Sequence, residues 1–168
     1  MAKVGARIAP AYRGPLFFVL AAAWITGLLY LGLDTWGRVE GDFGLEPHPW
    51  QATTLKIHGA VAFLMIWAFG YLAASHVPAG RRTGRSRRLG HLLLGALAFM
   101  TVSAYGLYYA SSETLRDALA VGHVAVGFAL PFLVAAHVWT GVRRRRQARL
   151  RRAVVSRTPW AEETASTR

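Results

Sequence analysis

Apolar residues in this chain are gathered into long unbroken blocks, and nearly all charges fall between them. Four blocks, residues 14–33, 57–80, 89–112 and 118–142, contain no Asp, Glu, Lys or Arg and run 20, 24, 24 and 25 residues. An α-helix rises about 1.5 Å per residue, so roughly 20 residues cross a hydrocarbon core about 30 Å thick. Each block is long enough to span, the last three with some tilt. Backbone at that depth must satisfy its own hydrogen bonds, which only helices and closed barrels do. Barrel strands alternate apolar and polar residues, and these blocks do not. The pattern predicts an all-α membrane protein, a bundle of four transmembrane helices.

The intervening segments set the organisation. Residues 1–13 read as a short lead, with Pro15 suited to the first turn of the first helix. The first block starts too late and runs too long for a signal-peptide core, and no small-residue cleavage site follows it, so it is expected to be retained. Residues 34–54 form the longest connection. They hold Trp36 and Trp50, expected at the membrane interface, and Pro47-His48-Pro49, which favours extended backbone. Residues 111–117 are a short turn that makes the third and fourth helices antiparallel neighbours. The membrane domain is expected over 14–142, followed by a tail, 143–168, that is basic and then disordered.

Charge refines the picture. A net charge of +12 raises the possibility of nucleic acid, but its placement argues against that partner. Five arginines (81, 82, 85, 87 and 88) fill the connection between the second and third helices, and seven more lie between positions 143 and 152. Lys3, Arg7 and Arg13 precede the first helix. The alternate connections carry Asp34, Glu40, Asp42, Glu46, Glu113 and Asp117 against Arg38, Lys56 and Arg116. This is the positive-inside pattern. It predicts both termini on the cytoplasmic face of a plasma (inner) membrane, with the arginines meeting anionic lipid. The absence of cysteine excludes disulfides, iron–sulfur clusters and covalently attached heme within the chain.

Six histidines remain to be explained. His48, in the long connection, reads as an ordinary exposed residue. His58, His76, His91, His123 and His137 lie in or at the edges of the apolar blocks, where ionisable groups are costly and usually functional. His58 and His76 are 18 residues apart, five helical turns. His123 and His137 are 14 apart, just under four turns. Each pair therefore shares a helix face, and the second and fourth helices run in the same direction. Outer can face outer, and inner can face inner. Two imidazoles across an apolar gap make a bis-histidine site for heme iron, held as cofactors are in bundle cores. Two non-covalent b hemes are expected, on His58 with His123 and on His76 with His137. His91 is the alternative inner ligand, or a contact for a propionate or a quinone. Phe63, Trp67, Phe69, Phe99, Phe128 and Phe132 are expected to pack on the macrocycles, and Lys56, Arg87, Arg88 and Arg116 to meet propionates. Pro131 is expected to bend the fourth helix.

The second helix opens His58-Gly59-Ala60-Val61-Ala62-Phe63 and the fourth His123-Val124-Ala125-Val126-Gly127-Phe128. They close Leu72-Ala73-Ala74-Ser75-His76-Val77 and Leu133-Val134-Ala135-Ala136-His137-Val138. Ile25-Thr26-Gly27-Leu28-Leu29-Tyr30 in the first helix has a counterpart in Ser103-Ala104-Tyr105-Gly106-Leu107-Tyr108-Tyr109 in the third. A weak internal repeat of two helical hairpins follows.

Over residues 14–142 the chain resembles the four-helix di-heme b-type cytochromes: the membrane subunits of respiratory formate dehydrogenases and nickel–iron hydrogenases, and the bacterial cytochrome b five-sixty-one class. His123 and His137, fourteen apart on the last helix, with His58 on the second, carry the likeness. It implies heme ligation at those positions and electron transfer between a quinone pool and a partner oxidoreductase. The formate dehydrogenase type takes an inner ligand from its first helix, which here has no histidine; Arg87-Arg88-Leu89-Gly90-His91 looks like that ligand-bearing helix start, moved to the third helix. No motif for flavin, nucleotide or peptide chemistry is present, so the chain reads as a respiratory-chain subunit rather than a stand-alone enzyme. The same histidines would also serve a transition-metal or proton-conducting membrane protein. A cofactor-free anchor or assembly subunit is the third reading.

Overall fold

The structure is a computed structural model that describes residues 8–83 and 87–155. The disorder expected after Arg152 falls largely beyond Val155, outside the described residues, as do positions 1–7 of the lead. In chain order the elements are α1 (Pro10–Trp36), β1 (Val39–Gly41), β2 (Gly44–Glu46), α2 (Gln51–Tyr71), a π turn (Leu72–His76), α3 (Val77–Thr83), α4 (Arg87–Tyr109) and α5 (Glu113–Val155). Four helices are long and apolar enough to cross a membrane: Pro10–Trp36, Gln51–Arg81, Arg88–Tyr109 and Glu113–Arg151. The second of these is α2, the π turn and most of α3 in one run.

Helix ends overrun the apolar blocks, for local reasons. α1 begins at Pro10 rather than near Pro15, because Pro10 at the first position gives up an N–H that has no helical partner anyway. Pro15 lies inside the helix instead. α2 begins six residues before its apolar block, where His48 builds a turn. Its carbonyl accepts from Gln51 N–H at 2.8 Å and its Nδ1 from Trp50 N–H at 3.1 Å. Gln51 Nε2 then donates to Asp34 Oδ1 at 2.8 Å, tying the start of α2 to the end of α1. α5 is capped by Ser112 Oγ, which accepts from Leu115 N–H at 3.4 Å, with Glu113 in the first turn where the helix dipole favours an anion. Its 43 residues extend roughly 65 Å. α5 runs through Pro131 without interruption and carries the arginine run as helix well past the apolar block. Residues 143–155 of the expected tail are therefore helical.

The connection after α1 contains an antiparallel hairpin that the sequence pattern does not announce. Val39 pairs with Glu46, Glu40 with Leu45 and Gly41 with Gly44. Gly44, at φ +115°, takes the backbone out of the two-residue Asp42–Phe43 turn. Strands of three residues, exposed on every position, are too short to show an alternating period.

α1 packs on α2 and α4 on α5, while α1 also touches α5 and α3 touches α4. The four spans thus close a ring with α2 and α5 on opposite corners. Large apolar side chains point outward: Phe18, Phe63 and Val121 are 74%, 75% and 72% exposed. Buried positions among the described residues are Ala68, Leu130, Thr54 and Ser103. This inversion suits helices in lipid, where apolar side chains gain nothing by turning inward and small residues let backbones approach.

The π turn has an identifiable cause. Pro78 offers no N–H to the Ala74 carbonyl and its ring would collide with that carbonyl in a regular helix. Val77 N–H bonds five residues back, to Leu72 O, and Ser75 Oγ donates to Tyr71 O at 2.6 Å, a back-bond that bends helices. Pro78→Ala is therefore expected to raise stability in reversible detergent unfolding, by up to about 3 kcal/mol, whereas Ala136→Pro in the regular interior of α5 lowers it by about as much. A less stable Pro78→Ala variant would show that something other than the proline holds the wide turn.

Candidate functional site

α2 and α5 face each other across the diagonal of the ring, and their histidines meet there in two pairs. His58 and His123, near the end that carries the β-hairpin, have ring centroids 6.4 Å apart and planes crossed at 83°. His76 and His137, near the end that carries the arginines, are 6.1 Å apart and crossed at 75°. All four rings are half-buried. His76 is the last residue of the π turn.

Hydroxyls hold the rings of the hairpin-side pair. Thr26 Oγ1, on α1, lies 3.0 Å from His58 Nδ1 and reaches two carbonyls of its own helix, Ala22 O at 2.7 Å and Ala23 O at 3.2 Å. Ser103, fully buried on α4, lies 2.8 Å from His123 Nδ1 and 3.2 Å from Met100 O. In the tautomer with its hydrogen on Nδ1, each ring donates to the hydroxyl, the hydroxyl donates to its helix carbonyl, and the Nε2 lone pair is free. Orientation of a ligating imidazole through its other nitrogen is the usual support of a metal site. At the arginine-side pair, Nδ1 of His76 and Nδ1 of His137 are buried and have no hydrogen-bond partner.

The separations are informative chemically. A metal-bound imidazole nitrogen lies about 2.0–2.1 Å from the ion, and the ring centre roughly 1.1 Å further. Two such rings on opposite sides of one ion stand about 6.3 Å apart by that reckoning, close to both observed distances. Among the described residues no group of three or more His, Cys, Asp or Glu is present. A bare zinc ion takes three or four protein ligands. Two opposed imidazoles suit an ion whose other ligands come from a macrocycle, as in heme.

Glycine shapes the approach at one position. A Cβ on Gly27, one residue after Thr26, would stand 3.1 Å from His58 Cε1, so the absent side chain is what lets the ring lie against α1. Gly90 on α4 is a looser counterpart, with its Cβ position 3.7 Å from His137 Cε1.

His76, not His91, stands opposite His137. His91 is exposed on α4 and lines a separate shallow recess with Leu92, Gly95, Phe99, Val126 and Leu133. His48, expected to be an ordinary exposed residue, is half-buried in the turn that starts α2. The aromatics expected around a macrocycle mostly point outward: Trp67, Phe128 and Phe132, like Phe63, are exposed. In lipid nothing drives them inward. Arg116 donates from Nη2 to Ala110 O at 2.9 Å and braces the turn before α5. Thr26, Ser103 and Gly27 were not singled out in the sequence, although Thr26 and Ser103 both lie in the matching segments of the first and third helices. A hydroxyl in each of the two segments, offset by two positions against their shared Gly-Leu, was the available signal.

No protein family, curated protein or solved structure matches the chain. The functional case rests on this geometry.

Gly27→Leu is expected to lower stability in detergent by about 1–3 kcal/mol through overpacking against His58. Gly32→Leu, five residues on in the same helix, has nothing within 4 Å of its Cβ position and should be neutral. Equal effects of the two substitutions would remove Gly27 from the site.

Proposed function

We propose that this chain is a b-type membrane cytochrome that carries electrons across the bilayer through two bis-histidine hemes. The observation that carries the reading is the double pairing of His58 with His123 and His76 with His137, each at a separation suited to one axially ligated metal. Heme supplies a one-electron iron centre and four in-plane nitrogen ligands. The chain supplies the rest. His58, His76, His123 and His137 would hold the two groups, with Thr26 and Ser103 beside two of the rings. Two centres at different depths divide a hydrophobic core of about 30 Å into shorter electron steps.

The family proposed is the four-helix di-heme group of formate dehydrogenase and hydrogenase membrane subunits and the bacterial cytochrome b five-sixty-one class. Its exchange partners here would be a quinone and a partner oxidoreductase. His91, in its exposed recess on α4, is kept as a candidate quinone or propionate contact rather than a ligand. The matching hairpins α1–α2 and α4–α5, each with a hydroxyl beside a histidine, support an internal duplication. A transition-metal or proton conductor is less well supported, since each station has two nitrogen ligands and no carboxylate in its cluster. A cofactor-free anchor leaves the close pairing of four half-buried imidazoles without a purpose.

We also place the arginine end at the cytoplasmic face of the plasma membrane, with both termini inside. The distribution of arginines over alternate connections supports this.

Two measurements test the reading. A pyridine hemochrome assay on protein made with ample heme should find two b hemes per chain; none would end the proposal. His58→Ala and His123→Ala should each remove the same heme and leave the other low-spin, while His76→Ala and His137→Ala remove the second. Retention of a low-spin second heme in His76→Ala but not in His91→Ala would move the ligand to α4. For topology, alkaline phosphatase fused after Arg152 should be inactive and fused within the β-hairpin connection active. The reverse pattern would invert the protein in the membrane.

A further inference from the structure

The two histidine pairs resemble each other in spacing and differ in what holds them. On the hairpin side both rings are tied at Nδ1 to hydroxyls, Thr26 at 3.0 Å and Ser103 at 2.8 Å. On the arginine side both Nδ1 atoms are buried and unpartnered. We infer that Thr26 and Ser103 are positioning residues that make the hairpin-side pair the stronger electron donor to its metal, so that the two centres differ in potential and the hairpin-side one is lower. This rests on the di-heme reading and goes beyond it in assigning the difference to two hydroxyls.

A ring that ligates through Nε2 keeps its hydrogen on Nδ1, so it donates to the hydroxyl, whose own proton then goes to a helix carbonyl, Ala22 O or Met100 O. An Nδ1–H that donates to an oxygen pushes electron density toward Nε2 and makes the imidazole more basic. A more basic axial ligand stabilises the more highly charged metal, the oxidised form, and lowers the reduction potential. Rings whose Nδ1–H finds no acceptor are weaker donors. Thr140, close to His137 in sequence, does not alter this, because its Oγ1 donates to the His137 backbone carbonyl at 3.0 Å and not to the ring. The arginines at that end, Arg143, Arg144 and Arg146, add positive charge that disfavours the oxidised metal. Surrounding charge and ligand hydrogen bonds therefore push in the same direction, and an experiment must separate them.

Redox titration of the purified, heme-loaded chain, followed in the visible spectrum, does so. The wild type should titrate in two one-electron waves, and the lower should be the one that His123→Ala removes. Thr26→Val and Ser103→Ala should each move that wave upward by about 59 mV, a tenfold change in its reduction equilibrium, and leave the upper wave in place. Thr26→Ser should keep the wild-type value, and Thr140→Val should move neither wave. If a hydroxyl-free variant instead loses the hairpin-side heme and Thr26→Ser restores it, the hydroxyl is still shown to position His58. Unmoved waves in Thr26→Val and Ser103→Ala, with both hemes retained, would assign the difference to charge alone and overturn the inference. So would a shift of the upper wave, or a loss that Thr26→Ser does not restore. Failure of the underlying reading is told apart by the hemochrome assay, which would find no heme in the wild type.

Discussion

An imidazole carried into hydrocarbon brings two nitrogens, and lipid satisfies neither. Burying a polar group without a partner costs on the order of 2–7 kcal/mol in apolar surroundings, so the way each nitrogen is satisfied organises this molecule. At the hairpin end the answer is local and complete for Nδ1: α1 and α4 each bring a hydroxyl to the ring of a neighbouring helix. That contact draws α1 against α2 and α4 against α5, the two principal packing partnerships of the bundle. The two rings so held face each other across the diagonal, with centroids 6.4 Å apart.

Packing in a bilayer obeys different rules from packing in water. Leu and Phe are as comfortable against lipid as against one another, so no hydrophobic force collapses α2 onto α5. Small residues mediate the close contacts instead. Gly27 lets His58 lie on α1, while Ala68 and Leu130 are the apolar side chains most enclosed. The same indifference explains the outward aromatics. Expecting Phe128 and Phe132 to line a cofactor transferred a rule of water-soluble cores to a chain whose solvent is hydrocarbon.

The four spans were legible because length and lack of charge are dominant signals at membrane depth, and the histidine pairs because exact ring partners follow from period and helix direction. Smaller features were hidden. Whether His58 meets Thr26 depends on the rotation of α1 about its axis, which periodicity does not determine in a helix apolar on all faces. The hairpin between α1 and α2 is too short to show a strand period, and α5 passes from apolar block to arginine run without any break that marks a helix end. The start of α5 at Glu113 falls inside the segment read as a turn, 111–117, because the polar first turn capped by Ser112 looks like a loop when only apolar length is followed.

The unequal spacing of the two histidine pairs is where sequence and structure inform each other most. Eighteen residues of regular helix rise about 27 Å and fourteen about 21 Å, so the two rows of histidines on α2 and α5 do not match in length. Yet the rings close to 6.4 and 6.1 Å at both ends. The π turn lies on the longer row, and it ends on His76. By placing more residues in a turn it takes up part of the excess rise and resets the direction of the side chain that follows. Pro78, two residues beyond, is what makes the regular turn unfavourable there. α5 has its own proline, Pro131, but there the α-helix continues through it to His137. The longer row thus carries a wide turn that the shorter one lacks, at the histidine that meets His137.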